Sequence, residues 1–475
     1  MQKSIPLCVD LDGTLSKTDL LHESVLQLIK INFLFLFYLP FWLIKGKAFL
    51  KRQIAQRTSL NYSTLPYNSD VIALINAAKL DGRMVVLATA SQESQALGVA
   101  NHLGLFDTIE ASTAEVNLAS SQKAKRLVDK FGKFEFDYVG NSRADLAVWA
   151  VCRKSIVVSS SESLFSRAKA VCSDVTKIER ARPSLKNILK AIRVHQWLKN
   201  ALVFVPVLVK HGPIQWAEAV QALLAFVAFS LCASAVYVLN DLLDLEADRQ
   251  HKSKRRRHFA SGNIPISVGA MLLPALMASS LAAALQLPPL FFMVLVVYFI
   301  ATNLYSLWLK RQVIVDIMLL AMLYTTRIVA GGSASGIDLS FWLLAFSIFI
   351  FFSLGVVKRY TELRDAQLEN RRQPAGRGYA VDDLPILLTL GVSSGFSAVV
   401  VLALYVNNPD ADINYKYPQM LWLAVLAVLY WIVRVWMKTH RGEIHEDPVV
   451  FAATDKQSWA VVILISVCFF IAQLH

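Results

Sequence analysis

The spacing of hydrophobic and polar residues along this chain changes once, near Ser184. Before that residue, short apolar stretches alternate with charged ones, as in a globular domain. Beyond it, apolar runs of roughly 18–24 residues recur, long enough to cross a hydrocarbon core about 30 Å thick. The pattern predicts a soluble domain over residues 1–184 and an all-α, polytopic membrane domain over residues 185–475.

The apolar runs of the second domain predict nine membrane helices. Arg193 and Lys199 interrupt the first of them, which is unusual for a span. The approximate ranges are 190–209, 216–239, 265–285, 287–304, 313–330, 341–357, 384–406, 419–437 and 457–474.

Lysine and arginine are distributed unequally between the loops that join these helices. With the first domain inside, the inside loops hold 18 of these cations, whereas the outside loops hold only Lys210 and Lys416. This asymmetry predicts a multi-pass protein of the inner (cytoplasmic) membrane, with a cytosolic N-terminal domain and the carboxyl end outside. The inside loops are residues 240–262, 305–312, 358–383 and 434–457.

The composition of the chain agrees with this topology. Its 475 residues have a mean hydropathy of +0.46, 55% hydrophobic residues and a formal net charge of +13. Because the cations collect in the inside loops, we interpret the charge as topological and expect no nucleic-acid partner. The five cysteines show neither paired nor metal-ligand spacing, so we expect no disulfide framework and no zinc site. The start of the chain lacks a signal-peptide pattern and predicts a β-strand.

Two carboxylates, Asp10 and Asp12, close the first apolar run in the stretch VDLDGTL. Carboxylates two residues apart suit Mg²⁺-assisted phosphoryl transfer, in which one attacks phosphorus and the other protonates the leaving oxygen. An ordinary turn after a buried strand is the alternative interpretation of this motif alone.

Further polar residues follow at ordered intervals. Thr89 lies near the end of a second strand, GRMVVLATAS, where its hydroxyl would hold a phosphate oxygen. Lys123, in SQKAKRL, offers a fixed cation, and Asn141 and Asp145 follow a third strand in FDYVGNSRADLAVW. This order over about 180 residues resembles the haloacid dehalogenase superfamily of phosphatases.

The resemblance implies a Rossmann-like α/β domain with a small helical cap over about residues 16–80. It also implies that Asp10 is the nucleophile, that Asp12 is the acid/base, and that both bind Mg²⁺ with Asn141 and Asp145. Family members usually carry Asp where this chain has Asn141, and Asn is a weaker, neutral ligand. The sequence therefore leaves open an active phosphatase, with Asp145 compensating, and a degenerate or regulatory domain.

Residues 31–57 of this cap are apolar and then basic. The apolar part is short and interrupted by Pro40, so we expect a cap whose aromatic face rests on the membrane rather than a span. Lys45, Lys47, Lys51 and Arg52 would then lie near lipid headgroups. A buried cap helix is the alternative.

Acidic residues cluster where the second predicted membrane helix reaches the cytosol, in NDLLDLEADRQHKSKRRR. Asn240, Asp244 and Asp248 are four residues apart and would share one helix face, with Asp241 beside them. Carboxylates this close predict a bound divalent cation, and Mg²⁺ prefers one or two carboxylates plus phosphate oxygens. The cations that would bind the phosphates are Lys254, Arg255 and Arg257, together with Lys252 and Arg256. A solvated loop would explain these cations but not the carboxylates.

This stretch resembles the Asn-Asp-x-x-Asp-x-x-x-Asp motif of UbiA-type intramembrane transferases. RVHQWLKN, which contains Lys199, looks like the entry to that family's first helix. YSLWLKR, with Tyr305 and Lys310, matches its Tyr-Ser-x-x-x-Lys loop. The resemblance covers roughly residues 186–475. It implies nine helices, with Asp241 and Asp244 as catalytic carboxylates and Asn240 and Asp248 as their partners around Mg²⁺.

The usual second acidic motif of that family is replaced here by cations. The loop begins VVKRYTELRD, where Lys358 and Arg359 would hold a phosphate and Tyr360 and Glu362 would bind ribose or the metal shell. That charge suits an anionic acceptor rather than a phenol. The pattern resembles the decaprenyl-phosphate phosphoribosyltransferase branch, which implies phosphoribosyl diphosphate as donor and a polyprenyl phosphate lipid as acceptor, in arabinofuranose precursor synthesis.

Asp316 and Arg327 fall within the fifth predicted span, where ionisable groups usually line a functional cavity. A structural ion pair between them is the alternative.

Three questions of function stay open at this point. The first domain would remove the 5-phosphate from the transferase product, or act on a related phosphate. A prenyltransferase with an aromatic acceptor is the competing enzyme activity. A non-catalytic membrane scaffold is the competing class of protein. The sequence also leaves open whether the chain forms a homo-oligomer.

Overall fold

The computed structural model of the chain describes residues 5–113, 116–180, 182–210, 212–373, 377–409, 415–444 and 447–473. By its internal contacts the chain divides into two compact units. Unit 1 comprises Met1–Ile192 and Val238–Leu273, and unit 2 comprises Arg193–Tyr237 and Pro274–His475.

A six-stranded parallel sheet forms the centre of unit 1. Its order is β3-β2-β1-β4-β5-β6, so the chain reverses direction across the sheet between β1 and β4. In such sheets, ligands bind outside the carboxyl ends of the strands at that switch point. The strands are β1 (Leu7–Val9), β2 (Val85–Gln92), β3 (Thr108–Ser112), β4 (Asp137–Gly140), β5 (Lys154–Val158) and β6 (Asp174–Ile178). The expected parallel α/β fold is confirmed.

Alternation along the strands explains why both faces of this sheet are buried. Leu7 and Val9 belong to one apolar cluster together with Leu87, while Cys8 belongs to a second cluster with Val86. Each cluster is covered by helices, as the near-continuous apolar composition of β1 and β2 requires. The sheet is therefore a rigid support for side chains that follow its strands.

In the described part of the chain up to Ile192, nine α-helices are present. They are α1 (Leu20–Ile31), α2 (Phe35–Ile44), α3 (Lys47–Ala55), α4 (Ser69–Leu80), α5 (Glu93–Leu103), α6 (Ser121–Phe131), α7 (Leu146–Trp149), α8 (Glu162–Val171) and α9 (Leu185–Ala191). Asp19 caps α1 by accepting the amides of Leu21 and His22, which satisfies two donors that a helix start leaves free.

The remaining chain contains eleven further α-helices among its described residues. They are α10 (Val205–Val209), α11 (Trp216–Leu243), α12 (Leu245–Gln250), α13 (Ile266–Ala284), α14 (Pro289–Leu307), α15 (Val315–Ser335), α16 (Phe341–Leu368), α17 (Leu384–Val406), α18 (Leu421–Arg441), α19 (Pro448–Thr454) and α20 (Lys456–Gln473).

Seven helices of the described chain are long and apolar enough to cross a membrane, namely α11, α13, α14, α15, α16, α17 and α18. The pair α19 and α20 would form an eighth span, although the two helices are bent by 79°. The first predicted span differs: Val194–Phe204 is a 3-10 helix that leads into the short helix α10. The nine-helix count is therefore not confirmed, whereas a helical, multi-pass membrane domain is.

Close helix packing holds the core of unit 2 together. A Cβ atom at Gly391 on α17 would collide with the indole of Trp436 on α18. That indole donates to Ser353 Oγ on α16 at 3.0 Å. Small residues that let helices approach, together with hydrogen bonds between helices, are what membrane bundles rely on.

Candidate active sites

A cavity of about 640 Å³ opens at the carboxyl edge of the sheet in unit 1. Asp10 follows β1, and Asn141 follows β4, the neighbouring strand at the switch point. The amide of Asp10 donates to the carbonyl of Val139 at 3.0 Å, which ties the two strand ends together. Asp10, Asp12, Lys123, Asn141 and Asp145 all line this cavity. The structure therefore brings these predicted residues together.

Asp10 and Lys123 form a buried ion pair at 2.7 Å. Burial raises the pKa of Asp10 to about 6, although the ammonium group of Lys123 opposes the rise. Burial would lower the pKa of Lys123, but the carboxylates of Asp10 and Asp145 outweigh it and raise that pKa. The arrangement provides a carboxylate beside a fixed positive charge, which is a suitable place for a phosphate.

Asp12 is held in a different environment from Asp10. One oxygen accepts the amide of Leu20 at 2.8 Å and the other accepts the hydroxyl of Ser91. Burial raises the pKa of Asp12 to about 7, with a further contribution from Asp19. A carboxyl group with such a pKa carries a proton for part of the time near neutral pH and is suited to acid/base work.

Asp145 organises the loop after β4 with both of its oxygens. One oxygen accepts the amides of Asn141 and Ser142 and the hydroxyl of Ser142, at 2.9–3.0 Å, and the other accepts the hydroxyl of Tyr138 at 2.9 Å. Lys123 lies 3.9 Å away. These bonds favour a positioning role for Asp145 rather than the direct metal contact predicted for it.

Ser91 is a cavity residue that the motif analysis missed. Thr89, the predicted phosphate ligand, is fully buried, and its hydroxyl accepts the amide of Ser91 at 3.0 Å. Ser91 is two residues further along β2, so it lies on the same face as Thr89 but nearer the strand end. That spacing is the signal that identifies it.

Two basic residues from outside the motifs also line the cavity. Lys51 of α3 donates to the carbonyl of Ala90 at 2.6 Å and to Asn117 Oδ1 at 3.1 Å. Burial lowers the pKa of Lys51. Arg180 donates to the carbonyls of Gly13 and Lys17, which fixes the loop after Asp12. The prediction that Lys51 faces lipid headgroups is therefore wrong, because its ammonium group is used inside the cavity.

The donors at this edge of the sheet fit a divalent cation. Asp10 and Asp12 are buried carboxylates with raised pKa values, so a cation would favour their ionised forms. Oxygen donors of this kind are what Mg²⁺ prefers. In the described residues, no group of three or more His, Cys, Asp and Glu side chains could hold a metal. A metal here would therefore depend on two carboxylates, Asn141 and the substrate.

The acidic motif of residues 240–248 lies where α11 ends and α12 begins. The predicted single helix face is interrupted at Asp244, which separates the two helices with φ −103° and ψ 16°. Asp241 and Asp248, two helical turns apart, instead share the guanidinium of Arg257 at 3.1 and 2.7 Å. Burial raises the pKa of Asp248, against the opposing effect of Arg257. Asn240 lies in the last turn of α11.

The basic residues after this motif do not all behave alike. Lys254 and Arg255 belong to the exposed 3-10 helix Lys254–Arg256, whereas Arg257 turns inward to the carboxylates. The 3-10 helix Lys254–Arg256 lies close to α12. The exposed side chains of Lys254 and Arg255 are therefore available to phosphates that approach the carboxylates.

Two ion pairs of unit 1 join this motif region to α1. Lys30 Nζ donates to Asp244 Oδ1 at 3.2 Å and to the carbonyl of Leu243 at 3.0 Å. Arg249 of α12 forms a buried bidentate pair with Glu23, at 2.5 and 3.1 Å. Such planar, charge-assisted pairs fix orientation, so α1 fixes the position of α12.

A cationic cluster lies among the helices of unit 2, and it consists of Lys199, Arg327, Lys358, Asp447 and Tyr324. Lys199 and Lys358 both bind Asp447 Oδ2, at 2.6 and 3.2 Å, and Tyr324 donates to the same carboxylate. Arg327 lies over the ring of Tyr324 at 5.5 Å. The cluster contains three cations and one carboxylate, which is an excess of positive charge in an apolar bundle.

Arg359 is already engaged by protein groups. It pairs with Asp316 at 2.5 Å and with Glu362 at 2.6 Å, and it donates to the hydroxyl of Tyr305 at 2.7 Å. Arg377 joins the same group through Glu362 at 3.4 Å. These contacts favour a role for Arg359 in holding the site together, rather than the phosphate contact predicted for it.

The suggested Asp316–Arg327 pair is wrong. Asp316 lies in the first turn of α15 and binds Arg359 of α16, whereas Arg327, three turns later, donates to Asn200 Oδ1 at 2.8 Å and to the hydroxyl of Tyr298. Eleven residues along a helix span about 16 Å, too far for a direct pair.

Two other predicted residues have partners that the sequence did not suggest. The hydroxyl of Tyr360 hydrogen-bonds with His440 Nδ1 at 3.1 Å. The carbonyl of Lys310 accepts Arg377 at 3.2 Å. Asp447, the centre of the cationic cluster, was missed because no motif surrounds it.

Residues 201–454 match the UbiA prenyltransferase family, and the chain belongs to that family. Over 99% of its length it is 35% identical to an uncharacterized protein, y4nM, of Sinorhizobium fredii, and the match covers 92% of that protein. The match therefore includes the residues of the α/β unit as well as those of the helical unit.

A relative whose activity is known matches a smaller part of this chain. The decaprenyl-phosphate phosphoribosyltransferase of Mycobacterium tuberculosis is 40% identical over 184 residues, which are 38% of this chain and 61% of that protein. Among solved structures, a UbiA homologue from Archaeoglobus fulgidus, bound to GPP and Mg²⁺, is 15% identical with a TM-score of 0.47. That match covers 60% of this chain and 99% of the homologue.

Proposed function

We propose that this chain transfers the 5-phosphoribosyl group from phosphoribosyl diphosphate to a polyprenyl phosphate. The observation that carries the proposal is the cationic cluster of Lys199, Arg327 and Lys358 around Asp447. Cations inside a membrane bundle are costly and mark a function. A lipid phosphate needs such charge, whereas a phenolic acceptor does not. The 40% identity to a decaprenyl-phosphate phosphoribosyltransferase supports the same substrates.

The donor would bind at residues 240–248. Asn240, Asp241, Asp244 and Asp248 supply oxygens of the type that Mg²⁺ prefers, and the metal would neutralise the diphosphate. Lys254, Arg255 and Arg257 would bind the diphosphate oxygens as charge develops on them. Lys30 and Arg257 now pair with these carboxylates, so donor binding would require both cations to shift toward the phosphates.

The transfer exchanges one bond for another at the ribose. The bond between C1 of ribose and the diphosphate oxygen breaks, and an oxygen of the lipid phosphate forms the new bond to C1. Diphosphate leaves with the electron pair of the broken bond. Because the lipid phosphate is already ionised, the step needs no strong general base. Lys358 and Lys199 are the groups that would orient that phosphate, and Arg359 would hold Lys358 and Glu362 in place.

Purified protein supplied with radiolabelled phosphoribosyl diphosphate, polyprenyl phosphate and Mg²⁺ tests this proposal. We expect label in the lipid fraction, and its loss in Asp244→Ala. Transfer from a prenyl diphosphate to 4-hydroxybenzoate, without transfer of ribose, would instead establish the competing prenyltransferase function. If neither ribose nor a prenyl group is transferred, the result would favour a membrane scaffold.

The α/β unit is proposed to be a haloacid dehalogenase-like phosphatase for the same product. The order of Asp10, Asp12, Lys123 and Asn141 supports it, as does their convergence at the switch point of the sheet. Asp10 Oδ would attack phosphorus, Asp12 would give its proton to the departing sugar oxygen, and water would then release phosphate from Asp10. Mg²⁺ held by Asp10, Asp12 and Asn141 would supply charge neutralisation.

Hydrolysis of p-nitrophenyl phosphate measures this activity alone. Asp10→Asn should abolish it, because the amide is not a nucleophile. Asp70→Asn, a matched change of an exposed carboxylate in α4, should leave it unaltered. Equal hydrolysis by both variants would refute the assignment, and no hydrolysis by the parent would favour a regulatory domain.

We also propose the topology that the loop charges predict. The segment 190–209 would be the first of nine spans, the domain boundary would fall near residue 184, and the α/β unit would face the cytosol at the inner membrane. The excess of Lys and Arg in the inside loops supports this orientation.

A further inference from the structure

Residues 31–44 expose more apolar surface than a folded cap needs. No residue of α2 is buried. Phe41 and Ile44 are 66% and 83% exposed. The large apolar side chains exposed in this segment are Ile31, Phe33, Leu34, Leu36, Phe37, Tyr38, Phe41, Leu43 and Ile44. Contiguous patches of this kind mark a surface that contacts another apolar phase.

The segment is ordered by its own aromatic contacts. The rings of Phe35, Tyr38 and Trp42 contact one another in tilted pairs with centroids 6.1 Å apart. The guanidinium of Arg57 lies 5.2 Å from the ring of Trp42. α2 thus keeps a regular helix that presents Phe37 and Phe41 outward. A helix that is apolar all round is stable only when it is covered.

The charge beside this surface has one sign. Residues 31–57 contain no Asp or Glu, and they contain Lys45, Lys47, Lys51, Arg52 and Arg57. Lys45, Lys47 and Arg52 are exposed. An apolar helix followed by exposed cations is complementary to the acyl boundary and the anionic headgroups of a cytosolic leaflet.

Contacts within unit 1 place both ends of the segment beside the ends of membrane helices. Lys30, one residue before it, donates to the carbonyl of Leu243, the last residue of α11. Leu43, near its other end, lines the cavity together with Pro265 and Ile266, where α13 begins. α11 and α13 are both apolar enough to span a bilayer. The segment therefore lies beside the ends of two candidate membrane helices.

We propose that residues 31–44, whose helical part is α2, lie parallel to the membrane plane and insert into the leaflet that α11 and α13 enter. Ten helical residues extend about 15 Å, half the thickness of the hydrocarbon core, so α2 lies in the membrane surface and does not cross it. Since Leu43 and Lys47 also line the cavity of Asp10, the cavity opens next to lipid. If the proposed phosphatase function holds, this placement selects membrane-bound phosphoesters.

Site-directed fluorescence on the full-length protein tests the insertion without any assay of activity. All five native cysteines are buried, so a cysteine introduced at Phe37 is the accessible one for a polarity-sensitive dye. The matched control is Leu80→Cys, because Leu80 at the end of α4 is also a large apolar residue and is 90% exposed. Both are placed in nanodiscs of phosphatidylethanolamine and phosphatidylglycerol, with doxyl lipids or aqueous iodide as quenchers.

The two labels should respond oppositely. We expect doxyl lipids to quench the dye at residue 37 at least threefold more than iodide does, and iodide to be the stronger quencher at residue 80. A dye at residue 37 that iodide quenches as at residue 80 would overturn the proposal. Protection from iodide without quenching by doxyl lipid would also overturn it, because the cover would then be protein. Repeating the measurement at Phe33 and Phe41 guards against a local effect of one substitution.

Discussion

Lys358 provides the sharpest test of the acceptor site at the scale of single residues. Its ammonium group shares Asp447 with Lys199, so the cluster keeps two cations, Lys199 and Arg327, when Lys358 is replaced. Hydrogen bonds to charged groups contribute about 1.5–3 kcal/mol. We expect Lys358→Gln to raise the KM for polyprenyl phosphate by about 10-fold to 100-fold and to leave the KM for phosphoribosyl diphosphate nearly unchanged.

Two further variants decide whether the positive charge of Lys358 is responsible for the change in KM. Lys358→Arg should restore most of the affinity, and Lys416→Gln, in the segment between α17 and α18, should have no effect. Equal increases in both KM values for Lys358→Gln would show a structural defect rather than a lost phosphate contact.

Asn141 is the second residue whose chemistry is open to measurement. Its side chain packs against Gly13, whose φ is +73°, and a carboxylate of nearly equal size fits there. We expect Asn141→Asp to lower the Mg²⁺ concentration for half-maximal phosphatase activity by about tenfold, because it adds a charged ligand. Asn141→Ala should raise that concentration. A Mg²⁺ titration that Asn141→Asp leaves unchanged would remove residue 141 from the metal site.

The residues that the sequence identified are those embedded in motifs. Asp10 and Lys123 were placed in one site by their order along the chain, and they form an ion pair. Asp447 has no such context: its role arises because α19 begins among helices that carry Lys199 and Lys358. Convergence of distant segments leaves no local pattern, which is why Asp447 escaped detection. Ser91 was missed for a different reason, since its two-residue spacing from Thr89 on β2 is a local signal that went unused.

At the scale of elements, the pairing of α1 with α12 makes a quantitative prediction. Glu23 and Arg249 are each 6% exposed at the side chain. Removal of one partner leaves an uncompensated buried charge, which costs about 3–5 kcal/mol. We therefore expect Glu23→Ala to lower the thermal unfolding midpoint of the detergent-purified protein by several degrees.

A double-mutant cycle separates this pair from its surroundings. Glu23→Leu combined with Arg249→Leu should recover much of the loss, because an apolar pair replaces an ionic one of similar volume. Additive losses in the double variant would mean that the two residues do not interact energetically.

The helix boundaries show where the hydrophobic pattern predicts the ends of helices and where it does not. The apolar runs located α11 and α13 through α18, but α11, α14, α15, α16 and α18 all continue beyond the predicted ends, and α16 extends furthest, to Leu368. A helix does not have to stop where its apolar run stops, because polar residues can continue it, as the buried Asp241 of α11 and Arg359 of α16 do. The 3-10 helix Val194–Phe204 and the break at Asp244 could not be foreseen, since both depend on contacts between segments far apart in sequence.

At the scale of the whole molecule, the two proposed activities should occur in a fixed order. With donor labelled in its 5-phosphate, the parent protein should release label as inorganic phosphate after transfer to lipid. Asp10→Asn should instead accumulate labelled lipid, and Asp244→Ala should give neither product. Labelled lipid that accumulates in the parent, with Mg²⁺ and time, would separate the transferase from the phosphatase without weakening the transferase proposal.

The overall plan was accessible from sequence because hydrophobicity changes so clearly near residue 184. What the pattern could not reveal is how the chain distributes its contacts. Val238–Leu273, which follows the unit 2 segment Arg193–Tyr237, belongs by its contacts to unit 1. Glu23 and Arg249 illustrate the reason, since an ion pair across 226 residues leaves no trace in local composition.

The position of Val238–Leu273 within unit 1 limits how the gene for such a protein can be rearranged. A gene fragment that stops near residue 192 would encode the sheet but omit Val238–Leu273, leaving Glu23 buried without its counter-ion. The residues before Ile192 and those after it can therefore not be expressed separately unless the contacts between α1 and Val238–Leu273 are replaced. Fusion, once established in such a lineage, becomes difficult to reverse.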